Sequence, residues 1–265
     1  MTSSFSAEWL ALREPADHRA RSRRLVTWLA ETLPSERPWS LLDLAAGTGS
    51  NARYFVRLLP KPQSWMLVDR DAALLSVAER STDCEITTRV VDLVHMDRHD
   101  AIFGGRDLVT ASALLDLVSG AWLRALLLRC RRASARVLFA LTYDGRMECE
   151  PRDPDDDLVR ALVNRHQRTD KGFGPALGPE AVGHTVVMLE ELGYDVAREQ
   201  SDWRLADDDR ELQRQLIVGW ADAATEMSAS DAKSIANWRA RRLAHVVAGR
   251  STIRVGHEDL AARVR

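Results

Sequence analysis

The chain has 265 residues, 45% of them hydrophobic and 29% charged, with a formal net charge of −2. That length suits one large α/β domain, or one domain with an appended piece, and the charge excludes a surface built to coat nucleic acid. Cys84, Cys130 and Cys149 are far apart and odd in number, so they match neither a disulfide framework nor a zinc spacing and point to a reducing, cytoplasmic setting. No metal site is expected, and no apolar run approaches the ~20 residues that span a bilayer.

In chain order, residues 7–32 predict one or two helices broken near Pro15, with Leu25, Trp28 and Leu29 as an apolar stripe and Pro34 and Pro38 ending the segment. A strand follows over 40–45, then a helix over 50–59 stopped by Pro60 and Pro62. The next strand, 65–68, ends at Asp69 and leads to a helix over 71–80; another, 86–91, ends at Asp92. Residues 107–111 read as a strand, 121–132 as a helix and 136–142 as a strand. Strict alternation implies right-handed crossovers and a parallel sheet, whose ligand lies beyond the carboxyl ends of the strands. Asp43, Asp69, Asp92, Ser112 and Tyr143 all fall at such ends.

The rhythm breaks at residues 144–178, which are rich in proline, glycine and charge and predict a lid with a short helix over 155–165. The three acids that open this helix and the bases that close it suit its dipole. A helix over 179–192 has proline in its first turn and Gly193 just past its end. A strand over 195–203, helices over 211–227 and 231–248, and a last strand over 252–255 complete the chain. Ser228 and Asp231 have capping-box spacing, and Gly249 stops the second helix. Leu212, Leu216, Trp220, Ala224 and Met227 recur at helical spacing, which suits packing or a homodimer contact. Trp28, Trp122, Trp220 and Trp238 read as packing residues, and His257 has no partner nameable from sequence.

The segment Leu41-Leu42-Asp43-Leu44-Ala45-Ala46-Gly47-Thr48-Gly49-Ser50-Asn51 is a buried strand, a glycine turn and a helix start. Gly47 and Gly49 permit backbone angles that other residues resist, and the helix opens with unpaired N–H groups. Alone, Gly47-Thr48-Gly49-Ser50-Asn51-Ala52 also fits a dinucleotide fingerprint, with Asp69 placed for a ribose. Asp43 argues against that, because a carboxylate at the strand end repels a pyrophosphate and suits a cationic ligand. Asp92 supplies a second acid able to accept from an adenine amino group.

These motifs, in this order, resemble those of the class I S-adenosylmethionine-dependent methyltransferases. The first is Asp43-Leu44-Ala45-Ala46-Gly47-Thr48-Gly49, departing from the family at Ala45, where glycine is commoner. The second is Leu67-Val68-Asp69-Arg70, the third Val91-Asp92-Leu93, and the fourth Asp107-Leu108-Val109-Thr110-Ala111-Ser112. The resemblance covers residues 40–143 by motif and 179–260 by topology. It implies a Rossmann-like, doubly wound, seven-stranded sheet, mostly parallel with one antiparallel edge strand, carrying a helical lid and a C-terminal helical insertion. It implies one domain over 1–265: an N-terminal helical segment 1–38, a cofactor core 40–143, the lid 144–178, and remaining sheet 179–265 with the insertion at 211–249. It also implies S-adenosylmethionine held by Asp43, Ala45, Gly47, Gly49, Asn51, Asp69, Arg70, Asp92, Leu93 and Ser112, with Asp69 on the ribose and Asp92 and Leu93 around the adenine. Arg13, Asp17 and Arg19 lie on a helix that family architecture folds over the cofactor.

On the acceptor side, His166 shares a helix face with Leu158 and Leu162, and its ordinary pKa suits proton removal. Arg168 and Lys171 can bind an anionic acceptor; Tyr143 and Asp144 lie where an acceptor approaches. The candidate catalytic residues are therefore His166 and Tyr143, and the candidate acceptor-binding residues Arg168, Lys171 and Asp144. A methyltransferase acting on a small molecule is expected, with neither nucleic acid nor membrane as partner. An NAD-dependent oxidoreductase and a non-catalytic partner-binding module remain open alternatives.

Overall fold

The computed structural model describes residues 5–31, 37–59, 62–81 and 84–265. Thr32, Pro34 and Pro60, expected to end helices, lie outside the described residues. The N-terminal segment forms helices α1 (Ala7–Ala20) and α2 (Arg23–Ala30). Helix α1 passes through Pro15 without breaking, and the chain turns instead at Arg21, where the backbone becomes extended. Proline costs α1 one internal hydrogen bond, but contacts on both sides of it hold the helix: Arg53 bridges to Glu14, and the Trp203 indole donates to Asp17 at 3.0 Å.

The alternating half follows the expected rhythm: β1 (Trp39–Leu44), α3 (Ser50–Val56), β2 (Gln63–Asp69), α4 (Ala72–Ser81), β3 (Glu85–Val90), β4 (Leu108–Ser112), α5 (Gly120–Arg132) and β5 (Arg136–Glu150). Then come α6 (Asp156–Gln167), α7 (Ala181–Glu191), β6 (Tyr194–Gln200), β7 (Trp203–Leu205), α8 (Arg210–Met227), α9 (Ala232–Val247) and β8 (Thr252–Val264). The sheet order is β3-β2-β1-β4-β5-β8-β6, with β7 also paired to β8. The pairings from β3 to β5 are parallel, and those made by β8 are antiparallel.

Eight strands thus occupy seven positions, because β6 and β7 follow one another along the same flank of β8. The antiparallel pairing is at one edge, as expected, with β8 one position in and β6 closing the margin. Strand residues alternate between two apolar clusters: Leu41, Leu67 and Leu138 join one, Leu42, Val68 and Phe139 the other. A sheet covered on both faces needs this pattern.

Two elements differ from expectation. Strand β5 continues past Thr142 to Glu150, so the start of the expected lid is strand, and β8 runs to Val264. Each satisfies the other's backbone groups: Thr142 to Glu150 lie opposite Glu258 to Thr252, with register shifts on either side of Thr142 and Tyr143. The Asp-Gly pair in this stretch keeps its local turn character: it falls in the register shift between Tyr143 and Met147, Gly145 has φ 89°, and Arg146 N–H donates to the Asp144 carboxylate at 2.9 Å.

The helical insertion is tied down by buried charge. Arg242 of α9, wholly buried, pairs with Asp156 at the start of α6, and the Trp238 indole donates to the same carboxylate at 2.8 Å. Substituting Asp156→Ala leaves a buried guanidinium without its counter-ion, a change worth roughly 3–5 kcal/mol. Urea unfolding of that variant is expected to show a loss of this size at pH 7; a loss below ~1 kcal/mol would mean that Arg242 finds water or another partner.

Candidate functional site

Strand order reverses between β1 and β4, so the crevice at their carboxyl ends is where a doubly wound sheet receives a ligand. The turn after β1 is built from backbone. Ala45 and Gly47 have φ of 52° and 53°, and Gly49 starts α3 at φ 81°. A Cβ on Gly49 would lie 2.8 Å from that of Ala78, and one on Gly47 would lie 3.1 Å from Leu10 of α1. Glycine at both places therefore answers to close packing as well as to left-handed backbone.

Most of the loop's N–H groups are already used. Ala46 donates to the Val68 carbonyl at 2.9 Å, Gly49 to that of Ala46 at 2.8 Å, and Gly47 to the Asp69 carboxylate at 2.8 Å. The other Asp69 oxygen accepts from Asp71 N–H at 3.0 Å. Asp69 is half-buried, while Arg70 and Asp92 are exposed, and Asp92 also caps the following turn through Val94 N–H at 3.0 Å. Leu93 is buried and its carbonyl accepts from the Trp122 indole at 2.7 Å. Ala45 and Ser112 are half-exposed on either side of the crevice.

Asp43 and Asn51 are wholly or nearly buried and bind each other rather than presenting their side chains at the surface. The Asn51 amide donates to Asp43 at 2.6 Å and to the Thr110 hydroxyl at 3.1 Å, and its oxygen accepts from Arg21. That exhausts its donors. The second Asp43 oxygen has no partner among the described residues. Burial pushes the Asp43 carboxyl up to about 7, against the opposing pull of the Asn51 hydrogen bond and the Arg21 charge.

The acceptor-side residues separate. Tyr143, expected as catalytic, is buried, donates its hydroxyl to Asn164 at 2.7 Å, and is driven well above the ordinary tyrosine range by burial. Asp144 is spent on Arg146, which also bridges to Asp202 at 2.7 Å. Arg168 is exposed and pairs with Glu180 at 2.9 Å. His166 and Lys171 do meet, with the ammonium 3.3 Å from Nδ1, while Nε2 lies 3.3 Å from Glu226. Burial, then the Lys171 charge, lowers the His166 pKa below the ordinary imidazole value, against the pull of Glu226.

Three residues that sequence reasoning passed over or left without a role join this region. Asp116 sits in the turn Leu115–Leu117 after β4, 6% exposed, with one carboxyl oxygen unpartnered. His257 of β8 lies opposite Tyr143, is 6% exposed, and its ring is 5.1 Å from that of Trp203. Arg13 of α1 lies over Trp203 and bonds Asp17 at 3.0 and 3.1 Å. Asp116 continues the fourth motif by four residues, which is the one local signal that pointed to it. Among the described residues, no three His, Cys, Asp or Glu side chains are grouped to hold a metal, and no helix is long and apolar enough to cross a membrane.

No protein-family model and no curated protein matches the chain in sequence. Solved structures do match in shape. The cyclopropane synthase MmaA2 of Mycobacterium tuberculosis superposes with a TM-score of 0.52 at 9% identity, over 98% of this chain and 94% of that one. A protein of Anaeromyxobacter dehalogenans assigned as a type II methyltransferase gives 0.52 at 17% identity, over 92% and 96%.

The Asp43 carboxyl generates a pH test. Its folded pKa of about 7 exceeds the ordinary 3.8, so the folded state binds the proton more tightly and stability falls as pH rises from about 4 to about 7. Asp43→Asn removes this linkage. The variant is expected to gain on the order of 2–4 kcal/mol relative to the parent across that window, read by chemical denaturation at both ends; parallel pH curves would mean that the carboxyl ionises freely in the fold. The chain has the fold of the class I S-adenosylmethionine-dependent methyltransferases.

Proposed function

We infer that the chain is an S-adenosylmethionine-dependent methyltransferase acting on a small molecule. The observation that carries this reading is the state of the glycine loop. A dinucleotide site offers free loop N–H groups to a pyrophosphate, whereas here Ala46, Gly47 and Gly49 donate internally and Gly47 is bound to a carboxylate. The sheet supports the same reading, since the dinucleotide order 3-2-1-4-5-6 is replaced by one with antiparallel β8 between β5 and β6.

In this reading Asp69 and Asp92, both accessible at strand ends, hold the ribose and adenine, and Ala45 and Ser112 face the rest of the cofactor. Gly47 and Gly49 give the loop its shape, and Asp43 and Asn51 brace it from beneath. The bound cofactor supplies an already activated methyl group, so the protein's task is to align the acceptor and exclude water. Helix α1 covers the loop through Leu10 and α6 flanks the acceptor side. His166, half-buried and with its pKa lowered, is the group that would take a proton from the acceptor once a ring nitrogen is released from Lys171 or Glu226. Lys171 and Arg168 are each met by a glutamate, Glu226 and Glu180, so an anionic acceptor would have to displace one of these partners.

Calorimetric titration tests the reading, with S-adenosylhomocysteine as ligand and NAD as comparison. Saturable binding of the first and none of the second is expected. Asp92→Ala, at an exposed position, should weaken it about tenfold, ~1.4 kcal/mol; Asp69→Ala should cost at least as much because it also releases Gly47. Binding of NAD alone would restore the oxidoreductase reading, and binding of neither would favour a partner-binding module.

A further inference from the structure

Asp116 is, beside Asp43 under the glycine loop, the buried carboxylate near the crevice that keeps an unpartnered oxygen among the described residues. Asp17 pairs with Arg13, Asp144 and Asp202 with Arg146 and Arg254, and Glu226 lies against His166 and faces Lys171. Asp116 makes no ion pair among the described residues, and its Oδ1 is buried without a hydrogen-bond partner. Arg13 and Lys171 act on it from a distance, but each already has a nearer or competing anion. His257, on the far side of Arg13, is pushed down to about 3 by burial and by that arginine, so it adds no positive charge. The Asp116 carboxylate therefore has no counter-ion of its own among the described residues.

Its place in the sheet says what the charge faces. Asp92 lies two residues past β3 and Asp69 ends β2; the glycine loop follows β1, and the turn bearing Asp116 follows β4, the next strand across. A nucleoside anchored over β3 and β2 extends its remaining part across β1 toward β4. An isolated buried carboxylate is costly unless a cation neutralises it.

We propose that Asp116 is the counter-ion for the positively charged sulfonium end of the bound donor, and that it distinguishes the charged donor from the uncharged product. This rests on the methyltransferase reading above. Neutralisation by the donor and loss of that neutralisation after transfer give the site a reason to release product. The carboxyl's own balance suits the role: burial lifts it to about 6, while Arg13, Lys171 and the Tyr143 backbone hold it ionised at neutral pH.

The test is calorimetry on the full chain at pH 7.5 with three probes: S-adenosylmethionine, S-adenosylhomocysteine, and an analogue with a protonated amine in place of the sulfonium. Asp116→Asn keeps the shape and removes the charge. The expected result is at least a tenfold loss for the two cationic probes and a change under twofold for S-adenosylhomocysteine, whose retained binding also shows that the variant is folded. Equal losses for all three would mean that Asp116 merely shapes the turn, and unchanged affinity for all three would mean that the charge lies away from the sulfonium; either overturns the proposal. If the parent chain binds none of the probes, the methyltransferase reading falls first and takes this proposal with it.

Discussion

The Asn51 amide joins four parts of the molecule at one point. It donates to Asp43 on β1 and to Thr110 on β4, accepts from Arg21 between α1 and α2, and sits itself on α3. Those elements meet where the strand order reverses, so the geometry of the crevice depends on this buried cluster, in which Arg21 Nε and Nη2 and Asp43 Oδ2 keep no hydrogen-bond partner among the described residues. Thr110 extends it by donating to the Leu138 carbonyl of β5 at 2.6 Å. Hydrogen bonds in a buried, low-dielectric setting are strong, and these hold the backbone-built glycine loop from beneath although part of the network is left unsatisfied.

Above that brace the crevice divides by exposure and charge. The β1-to-β3 half is open to solvent at Asp69, Arg70 and Asp92 and shaped by backbone hydrogen bonds. The β4-to-β8 half is closed, aromatic and dense in ionisable groups, with Trp203, Tyr143 and His257 packed beside Arg13 and Asp116. Low dielectric there magnifies every charge, so the protonation of a few side chains matters more than their number. Helix α1 spans both halves, with Leu10 over Gly47 and Asp17 on Trp203.

The structural neighbours share the path of the backbone at identities of 9% and 17%. At that distance the fold is what is shared, because sheet order and loop shape survive substitution while individual side chains do not need to.

Much of this was legible in the linear chain. Local periodicity marked the strands and helices of residues 39–136, and the acids Asp69 and Asp92 stood at strand ends because strand interiors on a covered sheet must be apolar. The sequence also placed the glycine turn, whose left-handed backbone suits few residues other than glycine. It did not reveal that Asp43 and Asn51 face inward, that Tyr143 is tied to Asn164, or that Asp144 is tied to Arg146. Nor did it show β5 and β8 at their full length, or Arg13, Asp116 and His257 together. Those features depend on contacts between segments up to 244 residues apart, as between Arg13 and His257. No local pattern encodes such contacts, because what a polar side chain does is decided by which distant donor or charge the packed core brings within reach.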